Sequence, residues 1–473
     1  MNQKNKDILK VLKSGYKEGF STEIAAVKAP KGITEAVVRF ISEQKKEPDW
    51  LLDFRLKAFR QLQKMSEPHW LKGEYDPIDY QDLYYYSAPD SKKKPKSLDE
   101  IDPKIRETYQ KLGIPLKEQE ALAGVAIDAV FDSVSVATTY SKALKEKGIL
   151  FCPISEAVRE YPELVKEYFT KCVPLTEHKF IALHYAVWSG GSFVYIPKGV
   201  KLEMPLQSYF RLNSPESGQF EHTLIIVDEG ASLHFIEGCS APKYNKVNLH
   251  AGCVELFVKE NGYLRYSTIE NWSKNMLNLN TKKAICEKNA QIDWVSGSFG
   301  SKISMLYPMS ILKGDNSKTE YTGISFAGKG QNLDTGFKVV HIGKNTSSLV
   351  NSRSISKNGG IATYRSLVKI LPSAENSRCS VNCDGLMLDS NSKSDTLPVN
   401  DIQTNDVEFS HEAKVGKISE QAIFYLMSRG LSEDDAKAMI VRGFANPVSK
   451  ELPLEYAVEM NRLINLELEG AIG

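Results

Sequence analysis

No stretch of the 473 residues reaches the run of about 18 apolar residues that a membrane-spanning helix needs. Met1 to Asp7 has neither an apolar core nor a small-residue cleavage site, so a secretory signal is not expected. An excess of one charge is also missing, with 60 Lys and Arg against 59 Asp and Glu, which argues against a nucleic-acid binder that works by counterion release. The basic run Lys92, Lys93, Lys94 and Lys96 reads as a solvated linker. Cys-x-x-Cys pairs are absent, and the seven cysteines (152, 172, 239, 253, 286, 379 and 383) are odd in number and scattered. They are expected to be free thiols in a reducing setting, cytoplasmic or in an organelle stroma. Gly-x-Ser-x-Gly, His-Glu-x-x-His and a dinucleotide-binding glycine turn are missing too. Gly323 to Gly330 nearly spells a phosphate loop, but Gly330 stands where Ser or Thr must hold magnesium, and the residues that follow cannot start a helix. Any dependence on ATP would therefore come from a partner.

What is present falls into three parts. Residues 1–170 are charged, aromatic and mostly helical in period, with amphipathic spacing over Lys31 to Ile41 and again from Trp50 to Leu62. The tyrosines from Tyr80 to Tyr86 are expected to pack against these helices. Residues 171–412 change to a period of two, and a turn residue recurs at Gly230, Asn261, Asn289, Asn316, Asn345 and Asn376, at spacings of 31, 28, 27, 29 and 31. A near-constant repeat of strands with no helix between them predicts a parallel β-helix, a solenoid, with a β-sandwich as the alternative. Residues 413–473 are helical again, with Ser432 to Asp435 as a capping box and a last amphipathic helix from Pro453 to Leu468. This C-terminal region would shield the open end of the solenoid, dock a partner, or do both. The fold class is thus mainly β with helical ends.

Among the cysteines, Cys152, Cys172, Cys253 and Cys286 lie in apolar runs and read as small core residues. Cys239, in Glu237-Gly238-Cys239-Ser240-Ala241-Pro242, and Cys383, in Asn382-Cys383-Asp384-Gly385, have settings that suggest bent, accessible segments. An accessible thiolate attacks sulfur and is a soft ligand for iron. His411 and Glu412 follow Cys383 by about one repeat, so a thiolate, an imidazole and a carboxylate could form a mixed metal set that a partner chain completes. The alternative is a hydrogen-bonded helix entry. The other histidines are dispersed and receive no role.

These residues also carry a resemblance. Glu47 to Arg55, Tyr80-Gln81-Asp82, Tyr195 to Val200, Ile236 to Pro242, His341 to Thr346, Cys383-Asp384, His411-Glu412-Ala413 and Met439 to Phe444 together resemble the SufB family, scaffold subunits of the SUF iron-sulfur cluster assembly machinery, over nearly the whole chain. The resemblance implies a non-enzymatic scaffold in a complex with a SufD-like subunit (or a second copy of the chain) and a SufC-like ABC ATPase docked on the C-terminal helices. It implies sulfur arriving as a persulfide from a cysteine desulfurase, through a SufE-type or SufU-type carrier, onto Cys239. Arg211, Asn213, Glu270, Trp272 and Lys282 would line its route, and Cys383, His411 and Glu412 would hold a nascent, transient cluster, of the 4Fe-4S type, for acceptor proteins. Reduced FAD is implied in the complex, with no motif here to locate it; Cys379 receives no role. The chain departs from the family in three ways. It has no cysteine before Cys152, Glu270 replaces a frequent Gln, and Ser410 replaces a Glu before His411. Competing readings are a structural SufD-like subunit without sulfur acceptance, which the setting of Cys239 disfavours, and a β-helix carbohydrate-active enzyme, which the absent signal disfavours.

If one repeat is one coil, Cys239 and Cys383 lie five coils apart, about 24 Å at about 4.8 Å per step. That distance excludes direct exchange between them and predicts a polar conduit through the solenoid or a large rearrangement. Glu270 would sit one coil from Cys239.

Overall fold

The computed structural model describes residues 26–70, 75, 77–89, 103–105, 107, 126–131, 134–138, 141–212, 217–241 and 247–469. The recurring turn residues are the corners of a β-solenoid of about seven turns. Gly230, Asn261, Asn289, Asn316, Asn345 and Asn376 all have positive φ, between 54° and 65°. Glycine and asparagine are the residues that tolerate this left-handed conformation. Each corner N–H donates to a carbonyl one coil on, from Gly230 to Glu260 through Asn376 to Asp406, at 2.8–2.9 Å. Corner side chains also form rungs, with Asn289 Nδ2 donating to Asn261 Oδ1 (2.9 Å), Asn316 to Asn289 (3.0 Å) and Asn376 to Asn345 (2.7 Å).

Each coil contributes two strands, such as Lys318–Ala327 with Asn332–His341, or Ser377–Met387 with Lys393–Ile402. One strand joins a 10-stranded sheet and the other a 12-stranded sheet, and successive coils pair in parallel. The N-terminal part adds strands that its helical period concealed. Ala126–Phe131 pairs antiparallel with Val134–Thr138 and parallel with Leu206–Arg211, and Leu150–Pro153 pairs antiparallel with Ser192–Ile196. Runs of four to six residues carry too few positions to distinguish a strand's period from a helix's.

Between the sheets lies an apolar core that includes Val194, Leu206, Phe235, Leu256, Trp294, Phe337 and Val381. The outer face of the 12-stranded sheet is covered by the helix Lys179–Val187, on which Glu35–Lys45 and Asp49–Lys64 pack. Arg55 locks these layers. Its guanidinium forms a two-pronged pair with Glu47 (2.6 and 2.7 Å) and donates to the carbonyls of Ala186 and Trp188, all out of contact with water. Tyr85 stacks on Phe220 and Tyr86 meets Phe40 edge-on, so these two tyrosines serve packing.

The C-terminal helices correct an expectation. Glu433–Lys450, capped by Ser432, and Leu454–Glu469 lie on the outer face of the 10-stranded sheet rather than over its open end. Outward residues Ile269, Phe299, Ile324, Phe326 and Ile355 make an apolar stripe there, which Val441, Ala445, Val448, Met460 and Ile464 bury. The solenoid also runs past residue 412, because its last strand is Val407–Lys417. Among the described residues no helix covers that final coil, with Val399 54% and Val415 44% exposed. On the neighbouring helix Glu420–Ser428, Phe424 is 73% exposed.

The corners generate a stability prediction. Asn316→Ala should lower unfolding free energy by about 1–2 kcal/mol, the cost of a left-handed L-residue, while Asn316→Gly should cost clearly less. Urea unfolding followed by far-ultraviolet circular dichroism measures both.

Candidate functional site

Cys239 lies in the strand Ser232–Ser240, paired with Phe210 on one side and Glu270 on the other. The expected bend and accessibility are not observed: Cys239 is 2% exposed, and the strand is regular through Ser240. Gly238 serves close packing, since a Cβ there would lie 2.7 Å from the Tyr209 ring. Burial pushes the Cys239 thiol well above its usual range, and Glu237, Glu221 and Glu270 push it further. Its polar neighbour is Glu237 Oε1 at 4.0 Å.

Glu237 is held by two donors, Lys282 Nζ at 2.6 Å on Oε1 and the Tyr266 hydroxyl on Oε2. Lys282 also donates to Thr268 Oγ1 (3.1 Å) and lies 3.8 Å from Glu270. Glu270 accepts from Asn278 Nδ2 (2.7 Å) and Asn280 Nδ2 (3.3 Å). Because Asn278 donates to Glu270, its Oδ1 faces His250 Nδ1 at 2.8 Å and requires a proton there. The other ring nitrogen meets Glu221 at 2.5 Å. Burial works against a charge on His250, but Glu221 and Glu270 outweigh it and raise its pKa. Lys282 follows the same pattern, with burial opposed by Glu237 and Glu270 and the pKa raised. The anion that Glu270 brings to the interior is therefore compensated where it stands.

The remaining route residues scatter. Trp272 is fully buried, clusters with Cys239, Phe210 and Met276, and its ring lies 4.5 Å from that of His250. Arg211 is buried and donates to Ser240 Oγ at 3.1 Å. Its register with Ser240 puts it on the face of the strand opposite Cys239. Asn213 lies outside the described residues, as does the Lys92 to Lys96 run.

At the far end, Cys383 Sγ is 3.3 Å from His411 Nε2 and 3.4 Å from the Glu412 carbonyl oxygen. The expected three-group set is not assembled. Glu412 pairs with Asn382 in register, so its side chain takes the other face; its carboxylate is 67% exposed and lies 4.0 Å from Lys414. Cys383 is 3% exposed, and burial, then Asp384, pushes its thiol up to about 12. Burial lowers the pKa of His411 and keeps a ring nitrogen available as a ligand. Cys379 shares the interior face and is likewise buried, its thiol pushed up to about 11 by burial.

Two inward lanes of the 10-stranded sheet join these ends. One runs Cys239, Glu270, Ser298, Ser325, Ser354, Gly385; the other runs Glu237, Thr268, Ser296, Gly323, Ser352, Cys383. All are buried, and the two thiols stand five strands apart on the same face.

Glu221, Glu237, His250 and Asn278 were missed by sequence reasoning. Their signal was the repeat itself, since Glu221, His250 and Asn278 follow one another at 29 and 28 residues. A second buried group, His184, His222 and Cys253, offers ligand atoms within 4.8 Å of one another. Its imidazoles are already engaged: His184 Nδ1 faces the Ala251 carbonyl at 2.8 Å, His184 Nε2 faces His222 Nδ1 at 3.1 Å, and Phe169 and Trp188 pack against His222. Among the described residues no glycine-rich turn leads from a strand into a helix to cradle a dinucleotide.

Comparison with known proteins decides the family. Residues 210–444 match the SufBD core domain of the SUF system FeS cluster assembly proteins, and residues 41–208 match the SufBD protein N-terminal region. The chain belongs to the SufBD family. It is 48% identical over 459 residues to the iron-sulfur cluster assembly protein SufB of Bacillus subtilis, covering 97% of this chain and 98% of that one. It is 49% identical, with the same coverage, to iron-sulfur cluster assembly SufBD family proteins of Staphylococcus haemolyticus and Staphylococcus epidermidis. The SufBD core match spans both buried thiols and the lanes between them, whereas the N-terminal match ends at residue 208, before the first of them.

A thiol near 12 is ionised to only about one part in ten thousand at pH 8. Alkylation of Cys383 in the folded chain should therefore be slow at neutral pH and rise about tenfold per pH unit up to about pH 10, a slope that peptide mass spectrometry after timed iodoacetamide treatment can measure.

Proposed function

We propose that this chain is a scaffold that accepts sulfur as a persulfide on Cys239, passes it through the solenoid interior, and builds a nascent iron-sulfur cluster at Cys383 and His411. The observation that carries this reading is the pair of buried lanes, in which, Glu270 apart, serine, threonine and glycine replace apolar residues over the four strands between the thiols. A solenoid interior gains stability from apolar packing, so rows of small hydroxyl side chains give up that gain and leave room and hydrogen bonds for a polar guest. The distance of about 24 Å, from five steps of about 4.8 Å, favours such a conduit over direct exchange.

The cluster itself, of the 4Fe-4S type, is cargo. Cys383 and His411 supply too few ligands to close it, and the uncovered strands Lys393–Ile402 and Val407–Lys417 beside them suit completion by a SufD-like subunit or a second copy of the chain. The exposed apolar side chains Phe424, Tyr425, Met427 and Met439 on the C-terminal helices suit docking of a SufC-like ATPase, whose hydrolysis would drive opening of the cluster interface. A cytoplasmic desulfurase with a SufE-type or SufU-type carrier is the sulfur source this reading requires. No helix among the described residues is long and apolar enough to cross a membrane.

Anaerobic reconstitution with SufC-like and SufD-like partners, desulfurase and cysteine tests the reading by iron and acid-labile sulfide per chain. Cys239→Ser and Cys383→Ser should both abolish cluster formation, and only Cys239→Ser should also abolish persulfide loading. Unchanged iron and sulfide in both variants would overturn the assignment. Ser325→Leu, which fills the middle of one lane at a packing cost of about 1–3 kcal/mol, should leave Cys239 loading intact and reduce cluster yield at least about tenfold.

A further inference from the structure

Resting on the reading of Cys239 as the sulfur acceptor, we propose that Glu237 is the catalytic base of that step, taking the Cys239 thiol proton as the new sulfur-sulfur bond forms. The argument begins with charge. Around the thiol the described residues bury three carboxylates, Glu221, Glu237 and Glu270, among the basic groups Lys282, the doubly hydrogen-bonded His250 and, on the far face of the strand, Arg211. Releasing the thiol proton to solvent would add a fourth anion to this buried set. Moving it onto a carboxylate of the set leaves the total unchanged, which in a low-dielectric interior is the less costly path.

Geometry selects the carboxylate. Glu237 Oε1 is 4.0 Å from Cys239 Sγ, two residues earlier on the same face of the same strand. Glu270, one coil away, is held by Asn278 and Asn280 and Glu221 by His250, while the carboxylate oxygen that Cys239 Sγ faces is Glu237 Oε1. Lys282 and Tyr266 hold Glu237 by one oxygen each, so the carboxylate is oriented before a donor arrives, as a base must be.

The step balances without an external oxidant. A persulfide donor, R–S–SH, presents its outer sulfur to Cys239; the thiol proton passes to Glu237, the Sγ electron pair forms the new bond to that sulfur, and the donor S–S bond breaks. The electron pair of the broken bond stays on the donor sulfur, and Glu237 returns the proton to that thiolate. Cys239–SH and R–S–SH become Cys239–S–SH and R–SH, so the cysteine sulfur is oxidised as the donor's is reduced. A carboxylate in this role relieves the reaction of its dependence on hydroxide, which a buried neutral thiol would otherwise show.

The test loads the full chain with glutathione persulfide and follows the gain of one sulfur atom at Cys239 by peptide mass spectrometry across a range of pH. Glu237→Gln should slow loading by about 100-fold near neutrality, in the range general-base catalysis supplies, and steepen its pH dependence toward about tenfold per unit. Tyr266→Phe keeps the carboxylate and the ring packing but removes one hydrogen bond to Oε2, so its pH profile should shift to higher pH with loading retained. This second variant carries the test if Glu237→Gln loses its β-sheet circular dichroism. Loading of Glu237→Gln within about threefold of wild type with the same pH profile, or an unshifted profile in Tyr266→Phe, overturns the role of Glu237 alone. Sulfur uptake that persists in Cys239→Ser, or no uptake on wild-type Cys239, overturns the acceptor reading and this proposal with it.

Discussion

Parallel, in-register stacking of coils is the constraint on which everything else in this protein rests. A strand in a parallel sheet repeats its neighbour's side-chain orientation at each step, so any residue type placed at one register position becomes a row. The left-handed corners at Gly230, Asn261, Asn289, Asn316, Asn345 and Asn376 keep that register, because each corner hands its N–H to the next coil. A slip of one residue would turn every inward side chain outward. The lanes from Cys239 to Gly385 and from Glu237 to Cys383 exist only because no such slip occurs over five successive strand pairings.

The same rule explains how a buried charge cluster is tolerated. Glu221, His250 and Asn278 come from three successive coils, and each group partly satisfies the next. Lys282 reaches in from the other sheet to meet Glu237 and Glu270. Ionised groups in an interior are costly unless paired and hydrogen-bonded, and this set supplies partners across sheets as well as along one. The interior is therefore apolar in the core around Phe235, Leu256 and Trp294 but polar along the two lanes and where Glu237, Glu270 and Lys282 meet, a division of labour expected of a site rather than a core.

The helical ends serve the two outer faces. Helix Lys179–Val187 and its neighbours bury the outside of one sheet, and Glu433–Lys450 with Leu454–Glu469 bury the outside of the other. What they leave bare is the final coil, where Cys383 meets His411. Among the described residues, a solenoid with both flanks covered presents its last strands as an edge for pairing.

The sequence alone was enough to determine the solenoid and the five-strand separation of its two unusual thiols, because a repeat of 27 to 31 residues ending in Asn or Gly is a local signal written in turn chemistry. It likewise determined the capping of Glu433–Lys450 by Ser432 and the failure of Gly323 to Gly330 as a phosphate loop, since Gly323 to Ala327 is strand. Tertiary structure decided the accessibility of Cys239 and Cys383, which Gly and Pro beside the first and a similar turn-like setting of the second suggested and the sheets removed. It also decided that Glu412 faces away from Cys383 while His411 faces it, a matter of strand parity hidden until residues 407–417 were known to be a strand. The seat of the C-terminal helices and the partnership of Glu237 with Lys282 depend on which faces of which sheets meet, and a chain read one residue at a time does not contain that.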